Sequence, residues 1–311
     1  MYASAIPVNA ESANARNRLG MIFIALAAML FASKGLFGKA LYQRGVGFEL
    51  LVAVRAVLAL PFFAWVGLRS APPEKPSARA YLAAVVAGMV CYYVGALVDF
   101  WALTMIDASV ERVLLFSYPA MVVLISSVMR REKPDARVLI ALVVTYIGIF
   151  FAMGGIDLAE LRANLLGAGL TLIAALTTAI YFLIGERYTH ELGSTRFAAI
   201  AMSTAAVALA VHFLAMRPVA ELTALRAFDW FLLGVLGIAC QFIPGLMQAE
   251  GMRRVGAQRG AIGSTIGPPT TLVLAAIFLH ERLNGWQLLG TALIVSSVLA
   301  LSIGPGLTAR K

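Results

Sequence analysis

The sequence has few charged residues and few of the residues that usually carry catalytic chemistry. Only 13% of its 311 residues are Asp, Glu, Lys or Arg, and it contains two cysteines and three histidines. The histidines do not have metal-ligand spacing, and no GxSxG, HExxH or P-loop sequence occurs. Asp99 and Glu111 could exchange protons, but nothing supplies a nucleophile beside them. We therefore expect no catalytic site, no metal and no cofactor.

Apolar residues make up 61% of the chain, and its mean hydropathy is +0.86. One soluble domain of this length could not bury so much apolar surface, so the surplus must face lipid. An apolar run of roughly 20 residues can cross a hydrocarbon core about 30 Å thick. Ten such runs predict ten transmembrane helices, at about 19–38, 48–68, 81–104, 110–129, 138–153, 165–185, 197–216, 230–249, 260–279 and 286–304.

The chain is internally duplicated. Residues 81–132 are echoed by residues 230–281 at a constant offset of 149, and the first helices of the two halves match at an offset of 147. Five helices in each half place the second repeat in the bilayer upside down relative to the first. We predict an all-α membrane protein with a cytoplasmic tail (1–18) and two inverted five-helix repeats (19–155 and 164–304). Inverted repeats are typical of transporters that alternate between two shapes.

The basic residues predict the orientation. Of the 25 Lys and Arg, 16 lie in the tail and loops on the side of the N-terminus, six lie on the other side, and Lys34, Arg55 and Arg112 lie within the membrane. Both termini are therefore predicted to be cytoplasmic. Because the cations are spread over short loops, the net charge of +9 does not indicate a nucleic-acid partner.

The ionisable residues within the predicted helices each need an explanation, since a charge in the hydrocarbon costs about 2.5 to 3.5 kcal/mol. They gather in the outer third of the first repeat: Lys34, Arg55, Asp99, Glu111 and Arg112, with Glu49 at the boundary of helix 2. Two interpretations stay open. The residues form an ion-pair network that closes the external side, or part of the network binds a charged or zwitterionic substrate or carries a proton. Lys34 and Asp99 are the stronger candidates, because Glu111 and Arg112 can reach the interface.

Spacing adds polar residues from both repeats. Tyr92 and Asp99 are seven residues apart and share one face of helix 3, and at the offset of 149 they match Gln241 and Gln248 on helix 8. This repetition indicates a shared polar lumen. Lys34 matches Tyr181 at the offset of 147. Aromatic residues add possible cavity walls, although aromatic residues near the interface usually belong to the interfacial belt. The candidate substrate-binding residues are Lys34, Tyr92, Asp99, Trp101, Arg112, Tyr118, Tyr181, Gln241 and Gln248.

Helix 9 contains the GxxxG pattern Gly263 to Gly267, followed by Pro268, and Pro119 is the equivalent proline of helix 4. Close helix packing explains the glycines. Prolines bend a helix, and equivalent weak points in two repeats suit a gate, so these four residues are our candidate gating residues. Cys91 and Cys240 occupy equivalent positions in helices 3 and 8. The sequence does not exclude a disulfide between them, but we expect buried free thiols.

Residues 101–119 followed by Glu132, and residues 256–268 followed by Glu281, resemble the helix 3 to helix 4 signature of the EamA-type family of the drug/metabolite transporter superfamily. The resemblance covers residues 17–304. It implies a ten-helix carrier of the bacterial inner membrane that exports amino acids or related metabolites by alternating access. It also implies that Pro119 and Pro268 lie in gating hairpins and that Glu132 and Glu281 are structural.

The resemblance leaves the substrate open. Helix 9 has no lysine, unlike the phosphate-sugar carriers of the superfamily, which disfavours a sugar-phosphate or nucleotide-sugar without excluding it. A sensor or scaffold that retains the carrier fold is the alternative outside transport. The expected partners are a small-molecule substrate and the lipid bilayer, in a monomer or homodimer. We expect Lys34 to pair with Asp99 and so to keep that carboxylate ionised, which gives transport without proton coupling.

Overall fold

The computed structural model describes residues 10–73, 75–106, 111, 114–152, 164–278 and 285–303. Within these ranges every regular element is a helix. The first repeat comprises α1 (Ala10–Gln43), α2 (Phe48–Arg69), α3 (Ala78–Ala102), α4 (Tyr118–Arg130) and α5 (Ala136–Ala152). The second comprises α6 (Leu165–Leu192), α7 (Ser194–Met216), α8 (Ala227–Val255), α9 (257–278) and α10 (Gly285–Ile303), with a one-turn helix Ala220–Thr223 before α8.

These ten helices confirm the helix content expected from the sequence. Each predicted run falls on one of them, and six (α1, α2, α3, α6, α7 and α8) are long and apolar enough to cross a membrane, while α4, α5 and α10 are shorter apolar helices. The first helix differs at its start. It begins at Ala10, inside the segment 1–18 that was predicted as a tail. The apolar run marks only the part of a helix that meets lipid, so it does not show how far the helix continues into water.

The helices pack in a pseudo-symmetric pattern. Each of α2 and α5 packs against its own counterpart, α7 and α10, whereas α1 packs against α8 and α6 packs against α3. The repeats are therefore interleaved. Large apolar side chains such as Leu68, Val128 and Leu165 are left on the outside of the bundle, 83%, 77% and 71% exposed. Lipid is the medium that suits such a surface, as expected of a membrane protein.

Glycines at equivalent positions allow the closest of these crossings. A Cβ at Gly88 of α3 would lie 2.1 Å from the carbonyl oxygen of Ala201 on α7, and one at Gly237 of α8 would lie 2.6 Å from the carbonyl oxygen of Arg55 on α2. Gly88 and Gly237 are 149 residues apart, and Arg55 and Ala201 are 146 apart. The two contacts are thus related by the pseudo-symmetry: the third helix of each repeat crosses the second helix of the other repeat at an equivalent glycine. Any side chain at either glycine would force the backbones apart.

Both α3 and α8 change to π-helical geometry in the middle. The π segment of α3 covers Gly88–Gly95, and that of α8 covers Ile238–Phe242, which lies within the equivalent stretch of the second repeat. A π segment contains an extra residue per turn and often occurs at functional sites. Here the two segments carry Cys91 and Tyr92 in α3, and Cys240 and Gln241 in α8.

Candidate functional site

A cavity with two lobes lies inside the bundle, between the repeats. We call them the charged lobe, of about 110 Å³, and the tyrosine lobe, of about 150 Å³. Each has room for several water molecules. The lobes share walls formed by Phe31, Lys34, Cys91, Tyr92, Leu115 and Thr178. The charged lobe adds, among others, Arg55, Asp99, Phe100, Cys240 and Gln241, and the tyrosine lobe adds, among others, Tyr118, Tyr181, Gln248, Ser264 and Gly267.

The charged lobe is organised around the ring of Phe100. Lys34 Nζ lies 3.8 Å from Asp99 Oδ2 and 5.7 Å from the ring centroid, and Arg55 Cζ lies 4.8 Å from the same centroid. Aromatic faces attract cations, most strongly where water is excluded. Arg55 is 9% exposed, and its Nε has no hydrogen-bond partner among the described residues. The lobe thus brings two cations and one carboxylate close together away from lipid.

Two buried acceptors in the charged lobe are left without a donor. Asp99 Oδ1 and Gln241 Oε1 have no hydrogen-bond partner among the described residues, and the two side chains are 6% and 7% exposed. Buried polar atoms are nearly always satisfied by protein, water or ligand. The side chains that carry these atoms and Arg55 Nε all line the charged lobe.

The tyrosine lobe joins the repeats through hydroxyl groups. The Tyr92 hydroxyl of α3 donates to Gln248 Oε1 of α8 at 3.1 Å, and the Tyr92 and Tyr181 rings meet edge to face with centroids 4.9 Å apart. The Tyr118 hydroxyl of α4 is hydrogen-bonded to the Ser264 hydroxyl of α9. The lobe therefore has polar groups at fixed positions in an aromatic wall, as small-molecule sites do.

The structure places seven of the nine candidate binding residues on this cavity: Lys34, Tyr92, Asp99, Tyr118, Tyr181, Gln241 and Gln248. Arg112 lies outside the described residues. Trp101 is 44% exposed and does not line either lobe. It comes two residues after Asp99, and two residues turn an α-helix by about 200°, so the two side chains point in opposite directions. The exposure of Trp101 is consistent with a place in the interfacial belt, the usual place for aromatic residues near the interface.

One member of the predicted network of three cations and three anions, Glu49, pairs elsewhere in the structure. Glu49 does not enter the cavity, because its carboxylate lies 3.4 Å from Arg217 at the loop end of α7. Glu111 is buried, 1% exposed, but does not line either lobe. Glu49 lies at the start of α2, close to a loop, and a loop cation can therefore reach its carboxylate. The sequence showed that Glu49 is at the end of a helix, but it did not show that Arg217 lies beside it.

The candidate gating residues lie at breaks in the helices. Pro119 is in the first turn of α4, which begins at Tyr118, and in α9 a short 3₁₀ segment, Ser264–Ile266, precedes Pro268. The first turn suits proline because the N–H it lacks has no partner within the helix there. Gly263 and Gly267 pack closely: a Cβ would lie 2.9 Å from Met21 Cε and 3.2 Å from Phe116 Cζ, respectively. Whether these four residues gate transport stays a prediction.

Both cysteines are free thiols on the cavity wall. Cys240 Sγ lies 3.2 Å from the hydroxyl of Ser33. Sequence reasoning did not place the cysteines in the site, nor did it find Phe100, Thr178 or Ser264. The periodicity of α3 and α8 could have suggested the cysteines, since each precedes a candidate residue of the predicted lumen. Phe100 has no polar side-chain atom, and its counterpart in the second repeat is an alanine. Nothing in the sequence therefore indicated that Phe100 belongs to the site.

The arrangement of the chain also matches known proteins. The sequence model described as the EamA-like transporter family matches twice, over residues 18–154 and 165–303. The chain belongs to this family. Each match covers one five-helix repeat, so this EamA-like protein is a membrane transporter built from a duplicated unit.

Relatives of this EamA-like transporter occur in bacteria and archaea. An uncharacterized transporter, YcbK of Bacillus subtilis (strain 168), is 31% identical over 276 residues, 87% of this chain and 88% of the relative. An uncharacterized transporter of Archaeoglobus fulgidus is 23% identical over 252 residues, 81% and 86% of the two chains. A solved crystal structure superimposes with a TM-score of 0.73 at 17% identity and covers 90% of this chain and 95% of the other. That likeness supports the fold.

Proposed function

We propose that this transporter moves small organic solutes, with amino acids as the leading class, by alternating access of the cavity to the two sides of the bacterial inner membrane. One observation carries the proposal. A single cavity between the repeats combines an ion pair, unsatisfied polar atoms and apolar walls such as Phe31 and Leu115. A few fixed polar groups in an apolar pocket are what binds a small amphipathic molecule.

Contacts between the repeats support alternating access. At one end of the bundle Arg130 of α4 reaches Glu186 of α6 at 2.8 Å, and Gln258 of α9 donates to the Ser126 hydroxyl of α4 at 2.5 Å. At the other end Arg44 pairs with Asp229 of α8. The pair of Arg130 and Glu186, with side chains 48% and 25% exposed, can break and re-form at low cost, which suits two shapes of similar free energy.

A flux measurement with purified protein in liposomes tests the proposal. We expect saturable uptake of at least one solute from a panel of amino acids and related metabolites. Protein-free liposomes and liposomes with heat-inactivated protein serve as controls. If no member of the panel crosses faster than in the controls, the protein acts as a sensor or scaffold with a carrier fold instead.

The ion pair at the charged lobe supports transport without proton coupling. Lys34 Nζ lies 3.8 Å from Asp99 Oδ2, so the carboxylate has a cation partner within the protein, and a site reached alternately from both sides cannot by itself change the equilibrium distribution of a solute. Asp99→Asn should then weaken uptake, while an imposed pH gradient should not drive accumulation in wild type or variant. Asp99→Glu, which keeps the charge, is the control. Accumulation driven by a pH gradient in wild type, lost only in Asp99→Asn, would show that Asp99 couples transport to protons.

A further inference from the structure

The charge of the cavity wall restricts the substrate beyond the general class. Among the described residues that line the two lobes, Lys34 and Arg55 are cations and Asp99 is the acidic residue, so the described wall has one uncompensated positive charge. Lys34 lies beside Asp99, whereas no carboxylate of the described residues lies within ion-pair distance of Arg55. A buried cation with no carboxylate in direct contact is costly inside a membrane, and a bound anion would lower that cost.

The lining side chains that carry the unsatisfied atoms indicate which groups of a ligand would bind there. Arg55 Nε is a donor that is nine-tenths buried, and an arginine side chain matches the geometry of a carboxylate. Asp99 Oδ1 and Gln241 Oε1 are acceptors, and an ammonium group supplies up to three donors. Lys34 is the second cation beside Asp99. A ligand with two carboxylates and one ammonium group is therefore the charge complement of a wall with two cations and one carboxylate.

We infer that the substrate is an acidic amino acid, with one carboxylate at Arg55, the second carboxylate near Lys34 and the ammonium group between Asp99 and Gln241. This inference rests on the proposed function, because it names the substrate of the same cavity. A neutral amino acid would leave the wall with its positive charge, and a cationic one would add to it. With an acidic amino acid bound, the charges of the described lining residues and of the ligand add up to zero.

The charged residues of the described cavity wall all come from the first repeat. The site is therefore asymmetric, although the helices around it are pseudo-symmetric. Arg55 corresponds to Ala201, Lys34 corresponds to Tyr181, and Asp99 corresponds to Gln248. The second repeat thus contributes polar but uncharged groups at the equivalent positions. An acidic amino acid would bind with its charged groups in the charged lobe and its apolar part against Phe31 and Leu115, on the wall that both lobes share.

Ligand-dependent thermal stabilisation of the full-length protein in detergent tests the inference without requiring transport. Glutamate and aspartate are compared with glutamine and asparagine, their uncharged isosteres, and with lysine. We expect the acids to raise the melting temperature of the wild type and to bind about 10- to 100-fold more tightly than the amides, the range for loss of a hydrogen bond to a charged group. Arg55→Gln should abolish this preference, and Arg55→Lys, which keeps the charge but not the planar guanidinium, should retain part of it.

A matched control separates the position of the charge from its amount. Arg44→Gln removes one positive charge from the loop pair with Asp229, away from the cavity, and should leave the preference for acids unchanged. Amides that stabilise the wild type as well as the acids do, or a preference that survives Arg55→Gln, would overturn the inference. Liposome flux separates the two proposals. Uptake of neutral amino acids alone would contradict the acidic substrate and support transport. Binding of acids without uptake of any solute would support the acidic ligand and contradict transport.

Discussion

Single glycines decide how closely the repeats approach each other. Gly237 faces the backbone of Arg55, whereas Gly234, one helical turn earlier on α8, has no other atom within 4 Å of the position its Cβ would occupy. The two glycines therefore offer a matched pair. One is required by packing, and the other only lowers the helix propensity of its segment.

Gly237→Ala should lower the free energy of unfolding by about 1 to 3 kcal/mol, because the new methyl group forces α8 away from α2. Gly234→Ala should leave stability unchanged or raise it by up to about 1 kcal/mol through helix propensity. Thermal unfolding of the two purified variants in the same detergent provides the measurement. Equal stability of the two variants would show that the crossing of α2 and α8 relaxes without cost.

The hydrogen bond between Tyr92 and Gln248 links the two repeats inside the cavity. Tyr92→Phe should weaken solute binding by about 1 kcal/mol, roughly fivefold, because Gln248 Oε1 is then buried without its donor. The double variant with Gln248→Leu should lose little more than either single variant. Binding constants for all four proteins form a double-mutant cycle, and additive losses would show that the hydrogen bond does not contribute to the site.

At the scale of elements, the π segments of α3 and α8 set the direction of the cavity residues. The extra residue of a π segment rotates the side chains within it relative to those of the flanking α-helix. Tyr92 lies in the segment and Asp99 lies beyond it, on the α-helical part Ala96–Ala102. Deletion of one residue from this segment would restore α-helical geometry, while the α-helical parts on either side of it stay in position.

Deletion of Val94, which is 40% exposed, should therefore leave a folded protein that binds solute weakly or not at all, because Tyr92 and Asp99 no longer face the same cavity. Val94→Ala, which shortens the same side chain without removing a residue, should keep nearly full uptake. Circular dichroism checks folding, and liposome uptake checks function. Unchanged uptake by the deletion variant would show that the π geometry of α3 has no role in the site.

At the scale of the whole molecule, the distribution of basic residues predicts that both termini are cytoplasmic, because the loops that share the side of the N-terminus carry most of the Lys and Arg. Alkaline phosphatase fused after Lys311 should be inactive, and the same enzyme fused after Arg44, in the loop between α1 and α2, should be active. An active fusion after Lys311 in cells with an intact inner membrane would contradict the predicted orientation.

Composition, apolar periodicity and the internal repeat were sufficient to predict the helices, the duplication and the family. Apolar runs must become helices in lipid, where each backbone polar group needs an internal partner, so composition and length are sufficient to locate them. The same logic found much of the site. Asp99, Tyr92, Gln241 and Gln248 stood out because polar residues on equivalent faces of an apolar helix need a shared cavity.

The packing of the helices controls which of these groups meet and which stay apart. The position of Arg55 over Phe100, the pairing of Glu49 with Arg217 and the exposure of Trp101 depend on helix rotation and on neighbours distant in sequence. A charge in the membrane needs a partner, but the sequence does not say which one, because several lie at the same depth. Helix crossings fixed by Gly88 and Gly237 make that choice, and among the described residues they place Arg55 in the same lobe as Lys34 and Asp99.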